Sequence, residues 1–153
     1  LCYRDLQAGR FIYIRFFENL LGMMLSEHPE SCGLTGRCTI QNVIEADGSV
    51  YPCDFYCLDE WKLGDIRTDS FEEMMESKKA ADFLAVSELP MKKCGECRWY
   101  PVCRGGCRRD REPVSGMLPA ENYFCPAFEE FFDYAMPRLR EVAGRIANGH
   151  RYF

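Results

Sequence analysis

Apolar positions first fall into a regular pattern near Phe16. Phe16, Leu20, Met23 and Met24 recur near a 3.6-residue period within RFIYIRFFENLLGMMLSEH, residues 10–28. This stripe predicts a helix from about Phe16 with one face turned to a core. RCTIQNVIEADGSVYPCD, residues 37–54, instead carries β-favouring flanks around Asp47–Gly48, a two-residue turn signal, and predicts a hairpin. Ideal two-residue pairing sets Asn42 opposite Cys53 and Cys38 opposite Cys57. Pro52 has no N–H to give, so the ladder is expected to break there and to gather these thiols only coarsely.

Further along, WKLGDIRTDSFEEMMESKKAADFLAV predicts a turn at Gly64–Asp65 and then a helix. Asp69 or Ser70 can cap that helix, with Glu72 and Glu73 in the favourable first turn. Cys94–Cys107, CGECRWYPVCRGGC, reads as loop-rich, with Pro101, Gly105 and Gly106. CPAFEEFFDYAMPRLREVAGRIANGH predicts a final helix, Pro126 suiting its first turn and Pro137 kinking it, with frayed last residues. Neither an internal repeat nor a low-complexity tract is present. Few strands flanked by helices define an α+β domain organised around something other than a large sheet.

Composition narrows the function classes. The 153 residues suffice for one domain with a core. With 19 basic against 24 acidic residues the formal charge is −5, which does not suit a nucleic-acid scaffold. No apolar run approaches the roughly 18 residues of a membrane span. The start, LCYRDLQAGR, lacks both the apolar core of a signal peptide and an initiator Met, and is expected to be the edge of an excised domain.

Ten cysteines change the picture most. They stand at Cys2, Cys32, Cys38, Cys53, Cys57, Cys94, Cys97, Cys103, Cys107 and Cys125. Disulfides explain such numbers in small secreted chains, but clustering in C-x2-C form favours metal binding. Eight ligands make two four-thiolate sites and leave two cysteines over. Zinc and iron–sulfur clusters both accept four thiolates. Zinc ribbons usually carry two short knuckles; here a single C-x2-C is followed by x5-C and x3-C, and the upstream pair is C-x5-C.

Cys32-x5-Cys38-x14-Cys53 followed by Cys94-x2-Cys97-x5-Cys103-x3-Cys107-x17-Cys125 resembles the SPASM domain of radical SAM enzymes. With SVYPCDFY, WKLGDI, CRGGCRR and EFFDYAMPRL, it is similar more closely to the C-terminal part of anaerobic sulfatase-maturating enzymes, over about residues 10–147. The resemblance implies a small SPASM-type domain with two auxiliary 4Fe–4S clusters. Cys32, Cys38, Cys53 and Cys107 would hold the first, and Cys94, Cys97, Cys103 and Cys125 the second. Both would be fully ligated by protein, for electron transfer or site organisation. On this reading residues 1–31 are a helical lead-in from a radical SAM barrel, 32–125 the twin-cluster domain and 126–153 the C-terminal helix.

The same resemblance makes Asp54 the proton acceptor in oxidation of a sulfatase Cys or Ser to Cα-formylglycine; by its sequence alone it is a turn or capping carboxylate. SAM and a third 4Fe–4S cluster would belong to the N-terminal radical SAM domain. The expected partners are a sulfatase polypeptide with a C/S-x-P-x-R context and an electron carrier such as ferredoxin or flavodoxin, in the cytoplasm, with no nucleic acid and no membrane. The barrel's C-x3-C-x2-C motif is absent: Cys53-x3-Cys57 meets Glu60 and Cys103-x3-Cys107 meets Asp110 at the required place. This chain alone is therefore not expected to cleave SAM. Another SPASM maturase and a non-catalytic zinc module with two four-cysteine sites are the alternatives.

Arg104, Arg108, Arg109 and Arg111 crowd Cys107. Ordinary use makes them solvated surface charges; compensation of anionic clusters is the sharper reading. Gly105 and Gly106 suit close backbone approach to a cluster. Cys2 and Cys57 are expected to be spare buried thiols, His28 and His150 not ligands, and Tyr51, Tyr56, Trp99 and Tyr100 packing groups.

Overall fold

The computed structural model describes residues 2–89, 91–112 and 120–149. The expected fraying of the last residues, and His150, lie outside these. Helix α1 (Cys2–Gln7), which the apolar pattern did not predict, precedes α2 (Arg15–Met24). The predicted stripe holds: Leu20 is fully buried, and Phe16, Met23 and Met24 pack half-buried against the same core. Facing it is α8 (Cys125–Ala147), which has Pro126 in its first turn and runs as one helix through Pro137. Phe132, Met136 and Leu139 of α8 close this first core with Leu34 of the short α3 (Cys32–Thr35). Burying a side chain such as Leu20 or Phe132 contributes about 1.5–3 kcal/mol.

The hairpin forms in a shifted register. In β1 (Val43–Ile44) and β2 (Ser49–Tyr51), Val43 pairs with Tyr51 and Ile44 with Val50. The Glu45 amide donates to the Ser49 carbonyl, leaving three residues in the loop instead of two, with Gly48 left-handed at φ 87°. Such three-residue loops close on a left-handed glycine. The one-residue difference removes the ideal pairing of Asn42 with Cys53 and of Cys38 with Cys57. The Gln41 amide still bonds the Pro52 carbonyl, 2.7 Å, beyond the strand pairs.

Gly64–Asp65, expected as a turn, is a third strand, β3, antiparallel to β2. Ser70, not Asp69, caps the next helix, α4 (Phe71–Glu76), in a capping box with Glu73. Ser77 then breaks the predicted single helix and caps a second, α5 (Lys78–Ser87). Phe83 of α5 is fully buried beside Cys53 and Tyr56, and Cys38 and Trp61 pack on this second core. Short helices α6 (Lys92–Glu96) and α7 (Tyr100–Cys103) carry the cysteine-rich stretch. Among the described residues, no helix is long and apolar enough to cross a membrane.

Candidate metal centre

Cys94 lies in α6 and Cys97 just past its end, the Cys97 amide donating to the Cys94 carbonyl at 3.3 Å. This turn puts both thiols on one side of the chain. Cys103 ends α7 and Cys125 begins α8. All four line one small, largely apolar cavity of about 30 Å³, closed by Met91, Asn122 and Phe128. Burial raises the Cys94 and Cys103 thiols, and their neighbouring thiols add to it. The Cys125 thiol is pushed up to about 11, first by burial and then by Glu121. Lys93 opposes this, sitting 2.6 Å from Glu121 and 3.3 Å from Glu129.

A sharp bend follows. Arg104, Gly105 and Gly106 are left-handed in succession, at φ 49°, 86° and 72°. A Cβ on Gly105 would stand 2.4 Å from Met91 Cε and 3.8 Å from Cys94 Sγ. One on Gly106 would stand 2.4 Å from Asn122 Nδ2, which donates to the Gly105 carbonyl at 3.0 Å. No side chain fits these positions without displacing a neighbour. The bend sends Cys107 away from the first cavity and toward a second group of thiols.

That group is drawn from distant elements. Cys32 opens α3, whose Gly33 is so close to Cys107 that a Cβ there would lie 3.4 Å from its amide nitrogen. The Cys38 amide donates to Ser87 Oγ at 2.9 Å. Cys53 follows β2 and is 9% exposed. Burial is the main cause of the raised Cys38, Cys53 and Cys107 thiols, and Cys53 reaches about 12. Cys107 acts electrostatically on Cys38 and Cys53, and Cys32 acts on Cys38 and Cys107. Cys53 Sγ donates to Asp54 Oδ1 at 3.1 Å, and the Phe55 amide donates to the same oxygen at 3.0 Å. Asp54 is itself exposed.

Two arginines depart from the solvated expectation. Arg108 is 4% exposed, with its guanidinium 4.7–4.8 Å from the ring centroids of Tyr56, Trp61 and Phe83. It donates to the Phe83 carbonyl at 2.9 Å and lies 3.6 Å from Glu112. Arg111 is 2% exposed. Only Arg109 behaves as a surface charge, lying over Phe55, while Arg104 is half-buried. The spacing of Arg108 and Arg111, three apart in a 3-10 turn (Arg108–Arg111), was the available signal that both could face inward.

Cys57 and Cys2 are half-buried, and neither lines the thiol cavity. Cys57 Sγ points to the Cys53 carbonyl at 3.7 Å. His28 is exposed, and Tyr56 and Trp99 pack on Phe83 and Phe132. All ten cysteines are free thiols. Among the described residues, no three donors converge as a single metal ion requires. Zinc and iron–sulfur clusters both accept four thiolates. The all-thiol donor sets and the glycines beside them fit such a group.

The thiol groups and the small sheet define the class, an iron–sulfur cluster-binding SPASM domain, and residues 32–98 match the family model of that domain. Over 144 residues the chain is 44% identical to a cysteine-type anaerobic sulfatase-maturating enzyme of Clostridium perfringens, covering 94% of this chain and 39% of that protein. It is 31% identical to a serine-type anaerobic sulfatase-maturating enzyme of Bacteroides thetaiotaomicron, covering 92% of this chain and 34% of the relative. A solved structure described as native anSMEcpe with bound AdoMet and Cp18Cys peptide superposes with a TM-score of 0.91 at 43% identity, covering 95% of this chain and 40% of that one. Residues 32–98 thus match the SPASM domain, the chain is similar over nearly its whole length to anaerobic sulfatase-maturating enzymes, and it spans about 40% of the length of the relatives it matches.

Proposed function

We propose that this chain is the auxiliary-cluster region of a radical SAM oxidoreductase that converts a sulfatase Cys or Ser to Cα-formylglycine. Cys32, Cys38, Cys53 and Cys107 would hold one 4Fe–4S cluster, and Cys94, Cys97, Cys103 and Cys125 a second. When bound, such clusters supply a one-electron acceptor close to the substrate. Residues 32–125 form this unit, with 1–31 leading in from the radical SAM domain and 126–153 as the closing helix. SAM, a third cluster and an electron carrier such as ferredoxin or flavodoxin belong to the whole protein. The exposed apolar run Phe11, Ile12 and Tyr13 suits a lead-in that packs on another domain.

The observation that carries the reading is the placement of Asp54, an exposed carboxylate directly after the buried ligand-type Cys53. Bringing the substrate carbon to the aldehyde level removes a hydrogen atom, an electron and a proton. Asp54 keeps Oδ2 free of hydrogen bonds among the described residues, so it can accept the proton from a substrate thiol or hydroxyl. Its Oδ1 is fixed by the Phe55 amide, which orients the carboxylate beside the first thiol group.

The test is anaerobic isolation of the full-length protein, iron analysis, and incubation with SAM and a sulfatase peptide of C/S-x-P-x-R context. Mass spectrometry is expected to detect formylglycine, with about eight irons contributed by the two SPASM clusters. Active protein that leaves this peptide unchanged but modifies another points to a different maturase. Zinc without iron, persisting after reconstitution, points to the structural module.

A further inference from the structure

Arg111 is a buried cation with no carboxylate partner among the described residues. Its Nη2 donates to the Ser87 carbonyl at 3.2 Å, and its Nε has no hydrogen-bond partner among the described residues. Arg108, by contrast, has three aromatic faces and Glu112 to balance it. Burying a guanidinium with no opposing charge is strongly unfavourable, so an anion is needed beside Arg111.

The surroundings of Arg111 offer thiols from both groups. A Cβ on Gly105 would lie 3.9 Å from Arg111 Nη1 and 3.8 Å from Cys94 Sγ, so guanidinium and thiol flank the same glycine. On the other side, the residue that accepts from Arg111, Ser87, also accepts from the Cys38 amide through its hydroxyl. Free buried thiols are neutral, whereas thiolates on a metal cluster are anionic.

We propose that Arg111 is the counter-charge shared by the two clusters, and that it raises the reduction potential of both. This rests on the two-cluster reading above. Reduction adds one negative charge to a cluster already surrounded by four thiolates. A fixed cation stabilises that extra charge more than the oxidised form. Removing the cation then moves both potentials in the negative direction together.

The experiment is an EPR-monitored redox titration of the cluster-loaded full-length protein and its variants. The parent must first contain two four-iron SPASM clusters by iron analysis and Mössbauer spectroscopy; failure there overturns the underlying reading and the inference with it. In Arg111→Gln, full iron content is expected with both SPASM potentials lowered. The expected change is about tenfold in each reduction equilibrium constant, about 59 mV for a one-electron couple. Arg111→Lys should return both toward the parent, and Arg109→Gln, at the exposed arginine, should shift neither. Unchanged potentials in iron-replete Arg111→Gln, a shift in one cluster alone, or a Lys variant that behaves like Gln overturns the proposal. If Gln loses iron, the Lys variant decides: retained clusters at parent potentials support a charge role, and equal loss overturns it.

Discussion

Cys53 Sγ donates a hydrogen bond to Asp54 Oδ1 at 3.1 Å, joining a buried thiol to a carboxylate at the protein surface. Adjacent residues rarely meet this way in a strand, where they point to opposite faces. They meet here because β2 ends at Tyr51 and a 3-10 turn (Asp54–Tyr56) begins one residue after Cys53. The turn lets a potential ligand and a potential base share one small volume.

Asp54→Asn preserves the shape of that turn and removes the base. In the full-length enzyme, formylglycine formation should fall by about 10²–10⁴-fold, the usual contribution of a positioned general base. Iron content should be unchanged, since the substitution spares every cysteine. Wild-type turnover in the Asn variant would falsify the assignment.

Cys107→Ala and Cys125→Ala separate the two thiol groups. Cys107 is the member on which Cys32, Cys38 and Cys53 converge electrostatically, while Cys125 shares the other cavity. Each substitution should remove about four irons and leave the spectroscopic signature of the other cluster. If Cys107→Ala instead abolishes the signal that Cys125→Ala abolishes, the two groups are wrongly divided.

The raised thiols predict how metal-free protein responds to pH. Cys53 stands at about 12 and Cys125 at about 11, both above the ordinary value of 9.0. Neutral buried thiols favour the fold below pH 9, and this contribution disappears as pH rises through the folded values. The denaturation midpoint of the metal-free protein should therefore drop between about pH 9 and pH 12. Metal uptake near neutral pH should release about four protons per site and strengthen as pH rises. A pH-stat titration with zinc as a probe measures the release; uptake without protons contradicts neutral thiols.

Gly106→Ala tests the bend between the groups. Left-handed backbone costs an alanine about 1–2 kcal/mol. The new methyl would also press on Asn122, whose amide holds the Gly105 carbonyl. A urea melt of the metal-free variant should show a loss of at least that size, and full stability would mean the bend is not strained by a side chain.

Short-range chemistry was readable in the chain itself. The 3.6-residue stripe of α2 and the proline-started α8 follow from local spacing, and so does a cap near Ser70. Eight cysteines at distinctive intervals carried the family resemblance, and the division into two groups was implied by that resemblance rather than by the spacing. The stripe, the proline start and the cap hold because backbone geometry acts over a few residues. The hairpin register failed for an equally local reason: one extra loop residue shifts every pairing, and a turn signal does not count loop residues. Strand β3 was missed because Gly64–Asp65 is only two residues long and becomes a strand by pairing with β2.

Only the tertiary structure decided what the arginines of the CRGGCRRDR stretch face. Four similar side chains within eight residues became one surface charge, one half-buried group and two buried cations. Their burial depends on α5, which presents the carbonyls of Phe83 and Ser87 from over twenty residues upstream. The sequence by itself determined which residues can ligate and where the chain can turn, because those are properties of side chains and short backbone segments. Which cation stands beside which thiol is a matter of long-range packing, and it is settled only when α5 lies against the turn that follows Cys107.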